Sequence, residues 1–269
     1  MNLDDMLQAM WQDYLQLNPD ARKIHLLFEQ HNSQVLNDHI ALRTFDLEEV
    51  NLEQLAQPFC RAGYIQAGEY DFPTKHLYAQ HFEHPDPQHP KIFISQLMTE
   101  ALSPDNQLLI HSLIADIDPQ LPSTDQFCYS GRPWELSFSE YEQLLTESEY
   151  AAWVAAFGFR PNHFTILVNA LESHRTIEAV NAFLKQQGFQ LNSAGGEVKG
   201  GADQYLAQSS TLANLVTVSF SDGETQIPGC YYEFALRYPL PTGQLYQGFV
   251  AASADKIFES TDSRQARDS

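Results

Sequence analysis

The chain has 269 residues, enough for one large domain with a sizeable core. Hydrophobic residues make up 43% and aromatics 12%, as in globular proteins, but 15 Lys and Arg stand against 35 Asp and Glu, a formal charge of −20. So negative a surface repels phosphate backbones and anionic lipid, which excludes nucleic acid and membranes as partners.

Leu3, Met6, Leu7, Met10, Tyr14 and Leu17 recur at helical spacing; Asn18-Pro19-Asp20 breaks the run, and Ile24, Leu27 and Phe28 resume it. Residues 1–36 are therefore expected to be helical. No apolar run approaches the ~20 residues of a spanning helix. The acidic start, Met1-Asn2-Leu3-Asp4-Asp5, does not resemble a signal peptide. Cys60, Cys128 and Cys230 are few, odd in number and far apart, so they read as reduced core or near-core thiols and point to the cytoplasm.

Residues 39–45 form a short apolar run that suits a buried strand. Asp46 and Glu49 have capping-box spacing ahead of a helix face made by Val50, Leu52, Leu55, Phe59 and Cys60, with Gly63 as its C-cap. Strands are expected from Tyr64 and at 76–79 and 91–97. The same order returns later. Residues 163–168 read as a strand, 176–187 as a helix closed by Gly188, and Phe189 as the start of a strand, with more strands at 204–207, 215–220 and 231–238. His39 precedes Gly63, and His163 precedes Gly188, by intervals that differ by a single residue. Two matching βαβββ modules account for this, and internal repeats take precedence in assigning a fold. The expected architecture is α+β, with a helical start at 1–36, module one at 37–98, a helical insert at 99–158, module two at 159–258 and a polar tail at 259–269.

Side chains alternate along a strand, so His39, Ala41 and Arg43 share one face, and Tyr231, Glu233, Ala235 and Arg237 share another. Pairing of the modules about a pseudo-twofold axis would bring His39, His163 and Glu233 into one cavity. Two histidines and a carboxylate make the facial triad of non-haem Fe(II) oxygenases, which leaves about three positions for substrate and O₂. Arg43 there can hold a carboxylate through two parallel hydrogen bonds. The structural alternatives are core histidines, a Glu233 salt bridge to Arg237 or Arg160, and an Arg43 paired with Asp38 or Asp46. His76, His81, His84 and His89, broken up by Pro85, Pro87 and Pro90, match no zinc spacing and read as a solvated rim. Gly195-Gly196 and Gly200-Gly201 lack the Gly-Lys-Ser/Thr element of a phosphate loop and suit a mobile hairpin or lid.

The segments 38–45, 162–165 and 232–237 resemble the 2-oxoadipate dioxygenase/decarboxylase family, whose fold is similar to the vicinal oxygen chelate architecture of paired βαβββ modules in a half-open barrel. The resemblance spans about residues 1–260. It implies that His39, His163 and Glu233 hold Fe(II), and that Arg43 contacts a small 2-oxo acid beside the two histidines. It also implies that the 248–255 segment lines the substrate site, with Val250 in contact and Ser253 and Arg237 in support. The implied reaction is O₂-dependent conversion of 2-oxoadipate to 2-hydroxyglutarate and CO₂. The chain departs from the family's characterised type in being shorter and in lacking a long insertion between Glu233 and Val250, which bears on substrate length. Two other readings keep the fold: a Zn, Ni or Mn lyase, isomerase or hydrolase, and a metal-free ligand-binding module. Dependence on O₂ separates the first of these from the oxygenase.

Overall fold

A computed structural model describes residues 2–261. Two helices open the chain, α1 (Leu3–Leu17) and α2 (Pro19–Glu29). Asn18 ends the first and caps the second, its side chain accepting from the Ala21 amide, while Pro19 takes the first helical turn, where no N–H is needed. Module one follows as β1 (Asn37–Phe45), α3 (Leu52–Arg61), β2 (Ile65–Phe72), β3 (Leu77–Glu83) and β4 (Lys91–Leu97). Three helices, α4 (Pro104–Ala115), α5 (Phe138–Glu147) and α6 (Glu149–Phe157), separate it from module two. That module comprises β5 (Pro161–Leu167), α7 (Ile177–Gln186), β6 (Lys199–Gly201), β7 (Leu206–Ser210), a hairpin of β8 (Leu215–Phe220) and β9 (Gly223–Pro228), and β10 (Tyr231–Arg237). A short helix, α8 (Ala251–Ile257), follows β10 after a loop. None of the helices among the described residues is long and apolar enough to cross a membrane.

Eight strands form one sheet in the order β2-β3-β4-β1-β5-β10-β7-β6. Its halves repeat each other: β1 runs parallel to β4, and β5 parallel to β10. They meet where β1 and β5 pair antiparallel, with His39 opposite Thr165 and Ala41 opposite His163. The sheet curls into a half-barrel. Its convex face carries Ile40, Leu42, Phe164, Ile166, Tyr232 and Phe234, all buried. Trp11 and Tyr14 of α1 pack on Phe164 (ring centroids 4.9 and 5.0 Å), and Phe28 of α2 packs on Phe234 at 6.0 Å. The apolar stripes read from the first two helices exist to cover this face. The concave face is left to polar side chains, among them His39, Arg43, His163, Thr165, Gln208 and Glu233, all buried.

Several expectations need correction. Helix α3 is capped by Asn51, which accepts from Gln54 N, whereas Asp46 accepts from the backbone and hydroxyl of Thr99. The supposed capping box thus serves the β1–β4 junction. Gly63 does end the helix, at φ +102°. Cys60 is exposed, while Cys128 and Cys230 are buried. The segment at 215–220 leaves the main sheet: β8 pairs with β9, and its Phe220 packs on Phe138 and Tyr141 of α5. Alternate β8 residues are exposed, whereas β10 is buried on both faces, and only a doubly apolar strand suits the central slot. No strand starts at Phe189; the module's edge strand is the three-residue β6, so the glycine-rich stretch is partly sheet and not a free hairpin. Residues 258–261 form a 3₁₀ turn with Thr261 buried, and the rest of the expected tail lies outside the described residues.

Gly158 joins α6 to β5, the strand that carries His163. Its φ is +71°, and a Cβ there would lie 2.0 Å from the Gly131 carbonyl oxygen, which is itself fixed by paired backbone bonds with Phe159. Gly158→Ala should cost about 3 kcal/mol or more, because strain at φ > 0 adds to a clash with backbone that cannot yield. Urea unfolding measures it; a cost under about 1 kcal/mol would show that the junction relaxes.

Candidate metal centre

His39 and His163 sit diagonally across the β1–β5 seam, and Glu233 of β10 faces Thr165, so strand register brings the three together. The ligand atoms of all three lie within 4.8 Å of one another and are buried. The two Nε2 atoms are 3.4 Å apart; Glu233 Oε1 lies 3.6 Å from that of His39, and Oε2 lies 3.1 Å from that of His163. Thr165 Oγ1 lies 3.1 Å from His39 Nε2.

What orients the imidazoles is the residue before each. Asp38 Oδ1 accepts from His39 Nδ1 at 2.8 Å, and Asn162 Oδ1 accepts from His163 Nδ1 at 3.1 Å. With each Nδ1 carrying the proton, both Nε2 lone pairs face the carboxylate. Burial pushes His163 below the ordinary imidazole range despite the pull of Glu233, which keeps the ring neutral at neutral pH. For Glu233 burial acts upward, but positive charge on His163 or His39, together with the Gln208 amide, outweighs it and holds the carboxyl below its usual value; with both rings neutral that charge is missing from the site. The Gln208 amide donates to Oε1 at 2.5 Å, while Oε2 has no hydrogen-bond partner.

Two lone pairs and a carboxylate converging in a dry site, with one carboxylate oxygen unsatisfied, repel each other unless a cation lies between them. The donor set fits a divalent ion that accepts nitrogen and oxygen ligands. Tyr231 lies flat on the His163 ring at 4.6 Å, and its buried hydroxyl has no partner.

The other residues singled out in the sequence fall as follows. Arg237 does not bridge to Glu233. It grips Asp38 through Nε (2.6 Å) and Nη2 (2.8 Å), and its Nη1 donates to the Tyr246 and Gly248 carbonyls at 2.9 and 2.8 Å. Burial works against the Asp38 carboxylate, but Arg237 first and His39 second hold its pKa well below the usual range. Arg160 pairs with Asp13. Arg43 shares the His39 face of β1, fully buried, with its guanidinium 5.0, 5.1 and 5.6 Å from the rings of Tyr150, Trp153 and Phe258. Its terminal nitrogens make long bonds to Thr261 Oγ1 at 3.4 Å, and its Nε has no hydrogen-bond partner. A cavity of about 400 Å³ borders Arg43, Lys75, Glu149, Tyr150 and Phe258; none of the three converging residues lines it. Val250 is half-buried at the start of α8, and Ser253 turns its hydroxyl toward Gln204 at 3.5 Å.

Sequence reasoning missed Asp38, Asn162 and Gln208 as supports, and Phe249, whose ring stands edge-on to His39 at 4.8 Å. The signal for the first two was on the page: a short polar side chain directly precedes each histidine. Of the rim histidines, His81 is buried, bonded to Tyr70 and Glu83; His84 and His89 meet edge to face at 4.5 Å, and none belongs to a metal-ligand group among the described residues.

A curled sheet of paired modules with a buried His-His-Glu set at its seam defines a protein of vicinal-oxygen-chelate-like fold whose His39, His163 and Glu233 are able to hold a metal ion. The chain belongs to the 2-oxoadipate dioxygenase/decarboxylase family, whose model matches residues 3–121 and 125–247. It is 36% identical to the 2-oxoadipate dioxygenase/decarboxylase of Oryza sativa over 97% of this chain and 79% of that one. The Arabidopsis thaliana enzyme of that name is also 36% identical, over 94% and 75%. Among solved structures, the Oryza sativa hydroxyglutarate synthase in complex with 2-oxoadipate superposes with a TM-score of 0.90 at 34% identity, covering 98% of this chain and 93% of that one. A Shewanella frigidimarina chain, provisionally named a hydrolase, matches at 53% identity and TM-score 0.90, covering 93% and 98%.

Proposed function

We propose that the chain is an Fe(II)-dependent dioxygenase that converts 2-oxoadipate and O₂ to 2-hydroxyglutarate and CO₂. The observation that carries this is the convergence of His39, His163 and Glu233 on one buried point, in a family whose rice member is solved with 2-oxoadipate. His39 Nε2, His163 Nε2 and a Glu233 oxygen would hold the ion. Iron held there would supply the redox chemistry with O₂ that oxidative decarboxylation requires.

The protein's own residues do the rest. Asp38 and Asn162 fix the proton of each imidazole on Nδ1, and Gln208 restrains the carboxylate, so the ligand set is preorganised. Arg43, buried with an unsatisfied Nε, offers fixed donors to a substrate carboxylate. Val250, half-buried at the N-cap of α8, would contact the substrate chain. Phe249, against His39, keeps bulk water from that side of the centre.

The test is O₂ uptake by the Fe(II)-loaded protein on addition of 2-oxoadipate, with 2-hydroxyglutarate and CO₂ assayed in the same vessel. The expected result is mole-for-mole agreement of all three. Bound iron without O₂ uptake would overturn the reading and favour non-redox chemistry at the same triad.

A further inference from the structure

We infer that Tyr70 and His81, with Glu83 behind them, form a latch that fixes Phe249 over the metal centre, making Tyr70 and His81 positioning residues for the reaction. The role in catalysis rests on the function proposed above; the latch itself does not.

After β10 the chain turns back and crosses the concave face, from module two toward the β2–β3 edge of module one. Two grips hold this strap. From its own module, Arg237 Nη1 binds the Tyr246 and Gly248 carbonyls, and the guanidinium lies 5.3 Å from the Phe249 ring. From the other module comes a relay of hydrogen bonds. The Phe249 amide donates to the Tyr70 hydroxyl oxygen at 3.0 Å, Tyr70 O–H donates to His81 Nδ1 at 2.9 Å, and His81 Nε2–H donates to Glu83 at 3.1 Å. Every bond runs in one direction, and the carboxylate at the end sets it. The relay needs a neutral His81, and burial lowers the basicity of that ring.

Phe249 is the point of the arrangement. Its ring touches His39 at 4.8 Å, Phe93 at 4.9 Å, His81 at 5.2 Å and Tyr70 at 5.9 Å. It therefore bridges the latch and the metal-binding imidazole directly. Two glycines are spent on the same device. A Cβ on Gly68 would lie 2.8 Å from the His81 ring and 2.9 Å from the Tyr70 hydroxyl. A Cβ on Gly248 would lie 2.5 Å from the Tyr246 hydroxyl, which itself donates to the Phe249 carbonyl. Neither glycine has φ in the left-handed region, so backbone conformation does not explain them; close approach does.

Tyr70→Phe removes the hydroxyl and keeps the ring. Hydrogen–deuterium exchange at the Phe249 amide should accelerate about tenfold, with the β1 amides unchanged. Gly68→Ala, which parts the tyrosine from the histidine without touching the strap, should do the same. In the Fe(II)-loaded full chain, 2-hydroxyglutarate formed per O₂ consumed should fall to about half or less in both variants, as water reaches the centre. Unchanged exchange at Phe249 would overturn the latch, and faster exchange with full coupling would overturn its role in the reaction. A wild type that consumes no O₂ with 2-oxoadipate would fail the proposed function, yet the exchange comparison would still decide the latch.

Discussion

Glu233→Ala is expected to abolish tight binding of a divalent metal and, with it, turnover. Glu233 brings the one negative charge to a site whose other two ligands are neutral imidazoles, so its loss removes both a ligand and the charge that offsets the ion. Removing a supporting hydrogen bond at a metal centre costs about 10–100-fold in affinity, and deleting a ligand should exceed that. Thermal unfolding separates loss of the site from loss of the fold. In the wild type, metal at 100 times its dissociation constant should stabilise the chain by about 2.7 kcal/mol. The variant should melt close to the metal-free wild type and gain nothing from added metal. The metal-free variant should stay folded, because the substitution leaves no buried charge unpaired and the two imidazoles keep their Asp38 and Asn162 partners. A Glu233→Ala protein that still gained the full metal-induced stabilisation would remove Glu233 from the ligand set. His163→Ala should behave alike, with the added consequence that Tyr231 loses the ring it lies on.

The strands that build this centre were the ones the sequence announced most clearly, for one physical reason. β1, β5 and β10 lie in the middle of the sheet, are covered on both faces, and so read as apolar runs in which a histidine or glutamate stands out. The edges were harder. β2 is largely exposed, with Ile65, Gln66, Ala67 and Glu69 all facing solvent, and β6 has only three residues. The 215–220 run has the β-branched composition of a strand, but composition does not name its partner; exposure of alternate residues on a hairpin does. At the site, the triad followed from repeat symmetry plus alternation along strands. The partners did not, because they depend on distant pairings. Nothing in the segments around 38 and 237 shows that Asp38 and Arg237, 199 positions apart, meet. Likewise, the contact between Tyr70 and Phe249 is made only when the strap crosses the curled sheet, and no local pattern encodes that crossing.

Asp38 carries the second large effect. It is buried, accepts two bonds from Arg237 and one from His39, and so joins the metal centre, β10 and the strap through a single carboxylate. Asp38→Asn keeps the shape and an acceptor for His39 but strands the Arg237 charge in the interior. Breaking a buried pair from one side costs about 3–5 kcal/mol, and weakened orientation of His39 should add a 10–100-fold loss of metal affinity. The double variant Asp38→Asn/Arg237→Met should recover part of the stability, since no charge is left alone, while the metal defect persists. Equal stability of the single and double variants would mean that solvent reaches the pair. The pH dependence has a definite sign. The folded-state pKa of Asp38 is depressed, so its contribution is fully present above the unfolded value near 4 and is lost progressively as pH falls below it toward the folded value. Acid unfolding of the metal-free wild type should therefore be steep below about pH 4, and Asp38→Asn should flatten that limb. An unchanged acid limb in the variant would show that other carboxylates, not the Arg237 partner, govern unfolding in acid.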